Sequence, residues 1–274
     1  MTSAALAERP NGLGKLTAPV TFAGAAWAIA DAEARKLARD PTELISRAVQ
    51  PALWLLVFGE VFTRLHAIPT GSLSYIAFMT PGVLAQSVLF SSIFYGIAII
   101  WERDLGIVHK LLVSPAPRAA LVTGKALAAS IRGLVQGLIV ALLAVMLGVP
   151  LRLDPRALLG TVVVVVLGSA VFSTFSLTIA CLVKTRERFM GIGQVLTMPL
   201  FFASNAIYPI AVMPPWLRAI AWMNPLTYLV DALRTLMIAG GQSSTGLPID
   251  FAVLIGTSVL LVIVAARLLP GIVR

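Results

Sequence analysis

The residues with a capacity for polar chemistry gather in two short segments and at a few positions inside apolar runs. The first segment, WERDLGIVHKLLVSPAPRAALVTGK at 101–125, opens with three charges, Glu102, Arg103 and Asp104. Ile107, Leu111, Leu112 and Val113 follow, with His109 and Lys110 among them. That spacing predicts a short amphipathic helix stopped by Ser114-Pro115 and Pro117, and a second short helix running from Arg118 into the next apolar run. The chemistry such a segment offers is recognition. A compact, charged and partly apolar loop suits docking to a soluble protein, and it would serve equally as a solvated connector.

The second segment, SNAIYPIAVMPPWLRAIAWMNPLTYLVDALRTLMIAGG at 204–241, is apolar but broken by Pro209, Pro214, Pro215 and Pro225. Two short helices fit between the prolines, at about 216–222 and about 226–238. Apolar segments this short are re-entrant or interfacial rather than spanning. Trp216, Trp222, Tyr208 and Tyr228 suit the lipid head-group region. Asp231 and Arg234 stand three residues apart, on one helical face and within reach of each other. An outer amphipathic cap without a role in transport would read the same way.

Inside the apolar runs stand Gln50, Gln86, Gln136 and Gln194, with Arg132 about two turns beyond Lys125 and Glu60 near the end of the first run. Ionisable groups at such depth are functional candidates. Glutamines there commonly bond a neighbouring helix, at roughly 0.6 kcal/mol each, and Arg132 has the length to reach the membrane surface. No catalytic set emerges. His66 and His109 are the only histidines and fall on opposite sides of the membrane. Cys181 is the single cysteine, so neither a disulfide nor a cysteine metal site forms within the chain. No phosphate-cradling glycine loop is present: Gly14-Lys15 is followed by Leu16, and Gly124-Lys125 by Ala126. The chain is not expected to hydrolyse ATP by itself.

The elements that must carry these residues are membrane helices. Of 274 residues, 58% are hydrophobic and 12% charged, and the mean hydropathy is +0.93. Soluble domains average about 25% charged. Six spans of the needed length are predicted, at about 46–62, 75–101, 126–149, 158–183, 190–212 and 251–269. Lys and Arg concentrate before the first span, after the second and fourth, and at the end, which places both termini in the cytoplasm. The net charge of +9 therefore reports topology and anionic head groups, and nucleic acid is not expected as a partner. Residues 1–21 read as a flexible cytoplasmic tail without a cleavable signal. Residues 22–40 read as an interfacial helix, with Trp27, Ala30, Ala34 and Leu37 on one face; a solvated helix is the other reading. Residues 22–274 then form one transmembrane domain. No inverted repeat marks a two-halved secondary transporter.

With ERDLGIVHKLLVSPAPR at 102–118 and NAIYPIAVMPPWLRAIAWMNPLTYLVDALR at 205–234 in place, the chain resembles the type-2 ATP-binding-cassette exporter permeases. The daunorubicin-resistance and nodulation-factor branch is the nearest in character. The resemblance runs from about Arg35 onward. It implies an all-α polytopic membrane protein with six transmembrane helices, an N-terminal interfacial helix and outer re-entrant helices between spans five and six. It implies that Glu102, Arg103, Gly106, Lys110, Leu111, Leu112, Ser114, Pro115 and Arg118 belong to a coupling segment that seats on an ATPase. It further implies that Asn205, Tyr208, Pro209, Asn224, Pro225, Tyr228, Asp231 and Arg234 belong to the outer re-entrant region. Gln50, Gln86, Arg132, Gln136 and Gln194 are the candidates for a pathway.

Implied partners are a separate ATPase subunit carrying ATP and Mg, a second permease subunit, membrane lipid and a hydrophobic or amphiphilic cargo such as a drug, antibiotic, lipid or glycolipid. The chain itself would bind no cofactor or metal. Its implied place is a bacterial inner membrane. Six spans and a cytoplasmic loop would also serve an ATP-independent channel or scaffold.

Overall fold

A computed structural model describes residues 24, 27, 31, 35, 48–65, 68–71, 73–106, 108, 118–183 and 185–269. Lys110, Leu111, Leu112, Ser114, Pro115, both histidines and the tail at 1–21 lie outside the described residues. So does most of the interfacial segment, of which Gly24, Trp27, Asp31 and Arg35 are helical.

Eight helices carry the described fold: α1 (Ala48–Leu65), α2 (Tyr75–Asp104), α3 (Arg118–Met146), α4 (Pro155–Leu182), α5 (Arg186–Phe202), α6 (Pro215–Met223), α7 (Pro225–Met237) and α8 (Leu247–Leu268). Among the described residues no strand forms, and a lone antiparallel bridge joins Leu151 to Ile238. Five helices, α1, α2, α3, α4 and α8, are long and apolar enough to cross a membrane.

The helix starts follow from side chains that accept the first free amides. Ser74 accepts from Ala77, Asp154 from Ala157 with Pro155 next in line, and Thr185 from Arg188. Asn224 accepts from Leu226 and is followed by Pro225, which has no amide to satisfy. Inside α1 the turn Trp54–Gly59 is π-helical, and Trp54 and Phe58 stack at 4.6 Å between ring centroids.

Three differences from the sequence reading bear on the site. α2 continues past Trp101 through Asp104. α3 is one unbroken helix from Arg118 instead of a short helix joined to a span. The predicted run at 190–212 does not form one helix: α5 ends at Phe202, the chain turns, and a 3-10 turn occupies Ile210–Val212. Proline explains the last difference. Pro199 removes an amide from the final turn of α5, and Pro209 sets an extended conformation before the 3-10 turn.

The core lies where α2, α4 and α7 meet. Its largest fully buried side chains include Leu84, Leu89, Phe172, Phe201 and Leu226. The most apolar stretch of α2 is 76% buried, whereas those of α1 and α8 are each 17% buried. α2 is thus the axis of the fold, and α1 and α8 leave most of their apolar surface for lipid or another chain. Backbone meets backbone at one point of this axis: a Cβ on Gly82 would stand 2.3 Å from the Ala206 carbonyl oxygen.

Candidate functional site

The polar residues collect at the two ends of α2, roughly 40 Å apart along its axis at 1.5 Å per residue. At one end Glu102, Arg103 and Asp104 form its last turn. The helix stops there because Gly106 takes φ 72°, and its amide turns back to the Arg103 carbonyl at 2.9 Å. These three charges close the second span and do not open a loop helix. Each is held from inside the chain. Lys125 of α3 donates to Glu102 at 2.5 Å, with both side chains at most 15% exposed. Asp104 accepts from its neighbour Arg103 at 3.0 Å and from Arg186 of α5 at 2.8 Å. Arg103 also donates to the Val183 carbonyl at 3.3 Å, and the Arg186 guanidinium lies 3.7 Å from the centre of the Trp101 ring. One helical turn therefore ties α2 to α3, to the end of α4 and to the start of α5. Arg118 is exposed at the first position of α3.

At the opposite end, Asp231 and Arg234 pair at 3.0 Å, with side chains 1% and 6% exposed. Asp231 also accepts from the Asn205 amide, from the Ser244 hydroxyl and from the Ser244 backbone. Arg234 reaches the Asn205 carbonyl at 2.7 Å and lies 4.0 Å from the Phe78 ring of α2. The pair thus fastens the turn after α5 to α7 and α2. Asn224 donates to the carbonyls of Leu200 and Ala203, at 2.6 and 3.1 Å. Tyr75 donates to Ile207 at 3.1 Å and Tyr228 to Trp222 at 2.7 Å. Tyr208 donates to the Phe202 carbonyl at 2.5 Å, and burial raises its phenol above the ordinary value, so it stays a neutral donor. A cavity of about 410 Å³ opens beside the cluster, bordered by Thr70, Phe78, Asn205, Asp231 and Ser243. Asn205 Oδ1 and Arg234 Nε are buried there without a hydrogen-bond partner, an expense that low-dielectric surroundings make large.

The proposed pathway residues do not converge. Gln86 and Gln136 are 3% and 4% exposed, but Gln50 and Gln194 are exposed on the outside of the fold. Arg132 lies 5.0 Å from the centre of the Tyr95 ring. Among the described residues no group of three His, Cys, Asp or Glu side chains could hold a metal ion.

Sequence reasoning missed Lys125 and Arg186 as partners of Glu102 and Asp104, because 23 and 82 residues separate them. It also missed Ser243 and Ser244, which sit in a short polar turn, and Asp250 in the first turn of α8; Ser243 donates to Asp250 at 2.7 Å. The run Gln242–Ser243–Ser244–Thr245 before the last apolar segment was the available signal.

Residues 24–238 match the family model described as ABC-2 type transporter. The transport permease ycf38 of Cyanophora paradoxa is 31% identical over 204 residues, covering 73% of this chain and 70% of the relative. The daunorubicin resistance ABC transporter permease protein DrrB1 of Streptomyces coeruleorubidus is 27% identical, covering 72% and 69% respectively. The doxorubicin resistance ABC transporter permease protein DrrC of Mycobacterium tuberculosis is 28% identical, covering 74% and 73%. The match takes in both polar ends of α2 and the helices that hold them, and the chain belongs to the ABC-2 type transporter family.

Proposed function

We propose that this chain is the permease subunit of an ATP-driven exporter that moves a hydrophobic or amphiphilic compound out of the cytoplasm or the inner leaflet. Family membership over residues 24–238 carries the proposal. The drug-resistance names of two relatives support a drug-like, antibiotic or lipid-like cargo. The energy would come from a separate ATPase subunit holding ATP and Mg, seated on the segment at 102–118. The ion pairs of Glu102 and Asp104 favour this, since they would pass a push on that segment to α3 and α5 at once.

In this reading residues 22–274 are one transmembrane domain, and residues 1–21 are a cytoplasmic tail. α5 is a short sixth span, about 26 Å long at 1.5 Å per residue, and α6 and α7 are the outer re-entrant pair. The segment around Trp27 lies along the inner surface. Both termini face the cytoplasm of a bacterium whose inner membrane holds the complex. The exposed apolar faces of α1 (Leu53, Leu56, Val57) and α5 (Val195, Met198, Phe202) would meet a second permease subunit. Asn205, Tyr208, Asp231 and Arg234, with Pro209, Asn224, Pro225 and Tyr228 shaping the turns around them, would form the outer gate.

Affinity purification of the chain from its native membranes tests this. The expected result is a roughly stoichiometric protein with a phosphate-binding glycine loop and ATPase activity that the permease stimulates. A chain that emerges alone under conditions preserving other membrane complexes would sink the reading.

A further inference from the structure

The bonds around Asp231 decide which polar atoms the neighbouring cavity can use. One carboxylate oxygen accepts from the Asn205 amide and from Arg234 Nη1, the other from the Ser244 backbone and hydroxyl. The carboxylate therefore has no lone pair to spare. It also fixes the Asn205 side chain, whose NH2 is spent on Asp231, so that Oδ1 is the end left over. Arg234 spends Nη1 on Asp231 and Nη2 on the Asn205 carbonyl at 2.7 Å, which leaves Nε. Both leftover atoms are buried without a partner. They belong to residues that border the cavity and are only 2% and 5% exposed. Native chains rarely leave such groups unserved. One of these needs a donor and the other an acceptor.

Charge narrows the choice further. Among the described residues bordering the cavity, Asp231 and Arg234 are the only charged ones, and they cancel at 3.0 Å. An incoming anion would face the carboxylate, and an incoming cation the guanidinium. Asp250 is fully buried behind Ser243, which donates to it, and does not border the cavity. Thr70 donates to the Leu73 carbonyl at 2.6 Å and keeps its lone pairs for a further donor. Gln242 is exposed at the border and offers both a donor and an acceptor. Leu73, Pro209 and Ile210 make the remaining side apolar.

We propose that this cavity binds a neutral polyhydroxy group of monosaccharide size, as a free solute or as the headgroup of a lipid. A hydroxyl donates and accepts through one atom, so it can serve Asn205 Oδ1 and Arg234 Nε without adding charge. A cyclic polyol carries hydroxyls at its edge and C–H groups on its faces, which suits a cavity polar on one side and apolar on the other. Water suits only the polar side. The 410 Å³ would take about a dozen waters at 30 Å³ each, and those against Leu73 and Ile210 would lack the polar partners that ordered water needs. The proposal rests on the outer-gate reading only for the side of the membrane from which the ligand comes.

The test uses the full chain in a detergent without sugar groups, with methyl β-glucoside, acetate and methylammonium as probes, read by saturation-transfer NMR and thermal melting. No ATPase is present, so the outcome is separate from that of the exporter reading. Methyl glucoside is expected to bind saturably and to raise the melting temperature, and neither ion should compete with it. Gln242→Leu and Thr70→Val leave the Asp231 cluster untouched and should each weaken binding by about fivefold, the worth of one hydrogen bond. Arg234→Lys keeps the charge against Asp231 but has no Nε–H, and should weaken it by about tenfold or more. Should that variant not fold, the two border variants and the choice among probes still decide. Glucosyl diacylglycerol binding more tightly than both methyl glucoside and diacylglycerol would support the proposal with a lipid headgroup as ligand; equal affinity for the two glucosides would support it with a free solute. The absence of saturable glucoside binding would leave the two atoms to water and overturn the proposal. Acetate or methylammonium binding as well as the glucoside, or undiminished glucoside binding in the folded variants, would overturn it too.

Discussion

The Arg186 guanidinium lies over the Trp101 ring, 3.7 Å from its centre, while the same group holds Asp104 at 2.8 Å. α5 therefore begins against the last turn of α2, gripped by an aromatic face and a carboxylate together. Asp104→Ala and Trp101→Ala should each leave the fold intact and lower transport-coupled ATPase activity, with the double variant at least as impaired as either. Equal coupling in all three would show that the grip has no part in transmission.

Glu102 and Lys125 form the more buried link. Removing one partner of a buried pair costs about 3–5 kcal/mol, because the other charge is stranded. Glu102→Lys should thus sharply reduce the amount of folded protein in the membrane. The exchange Glu102→Lys with Lys125→Glu should restore it. If the exchange restores accumulation but not ATPase coupling, Glu102 also faces the partner. If it restores both, Glu102 acts only within the subunit. Fluorescence-detected size exclusion and ATPase assays read the two effects separately.

Asp231 is the hub of the opposite cluster, and Asp231→Asn should destabilise by about 3–5 kcal/mol by leaving the Arg234 charge uncompensated. Asp231→Leu with Arg234→Met should recover most of that loss, since well-packed apolar residues replace a buried pair at little cost. Thermal melting of the three proteins in one detergent decides the matter. A double variant as unstable as Asp231→Asn would mean that the hydrogen bonds to Asn205 and Ser244 matter more than the charge pair.

Gly82→Ala should be costly. Its methyl group would fall 2.3 Å from a backbone oxygen that has no side chain to swing aside, and overpacking of this kind costs about 1–3 kcal/mol. Gly191→Ala, with nothing within 4 Å of the added carbon, is the matched control and should melt like the native chain.

Continuous hydropathy located the helices because lipid-facing and core-facing residues here are alike in being apolar, so each run shows as an uninterrupted block. It failed at 190–212 for the same reason. Hydropathy does not distinguish a helix from a turn whose carbonyls are capped by a distant Asn224. The pairing of Asp231 with Arg234 was legible from their spacing of three. The links from Glu102 to Lys125 and from Asp104 to Arg186 were not, since they depend on how helices cross. The glutamines illustrate the limit most plainly. Gln86 and Gln194 each stand in an apolar run, yet one is buried and the other faces outward.

The contact between Gly82 and Ala206 fixes where the fifth helix can move. Past Phe202 the chain is clamped to α2 by that backbone contact, and Asn224 grips Leu200 and Ala203 from the other side. Pro199, just before the clamp, leaves the last turn of α5 one hydrogen bond short. α5 is accordingly fastened at both ends, by Arg186 to the last turn of α2 and by this clamp to its opposite half, with the turn at Pro199 as its weakest link. A pull on the Arg186 end that α5 does not follow as a rigid rod would therefore bend it at Pro199 first.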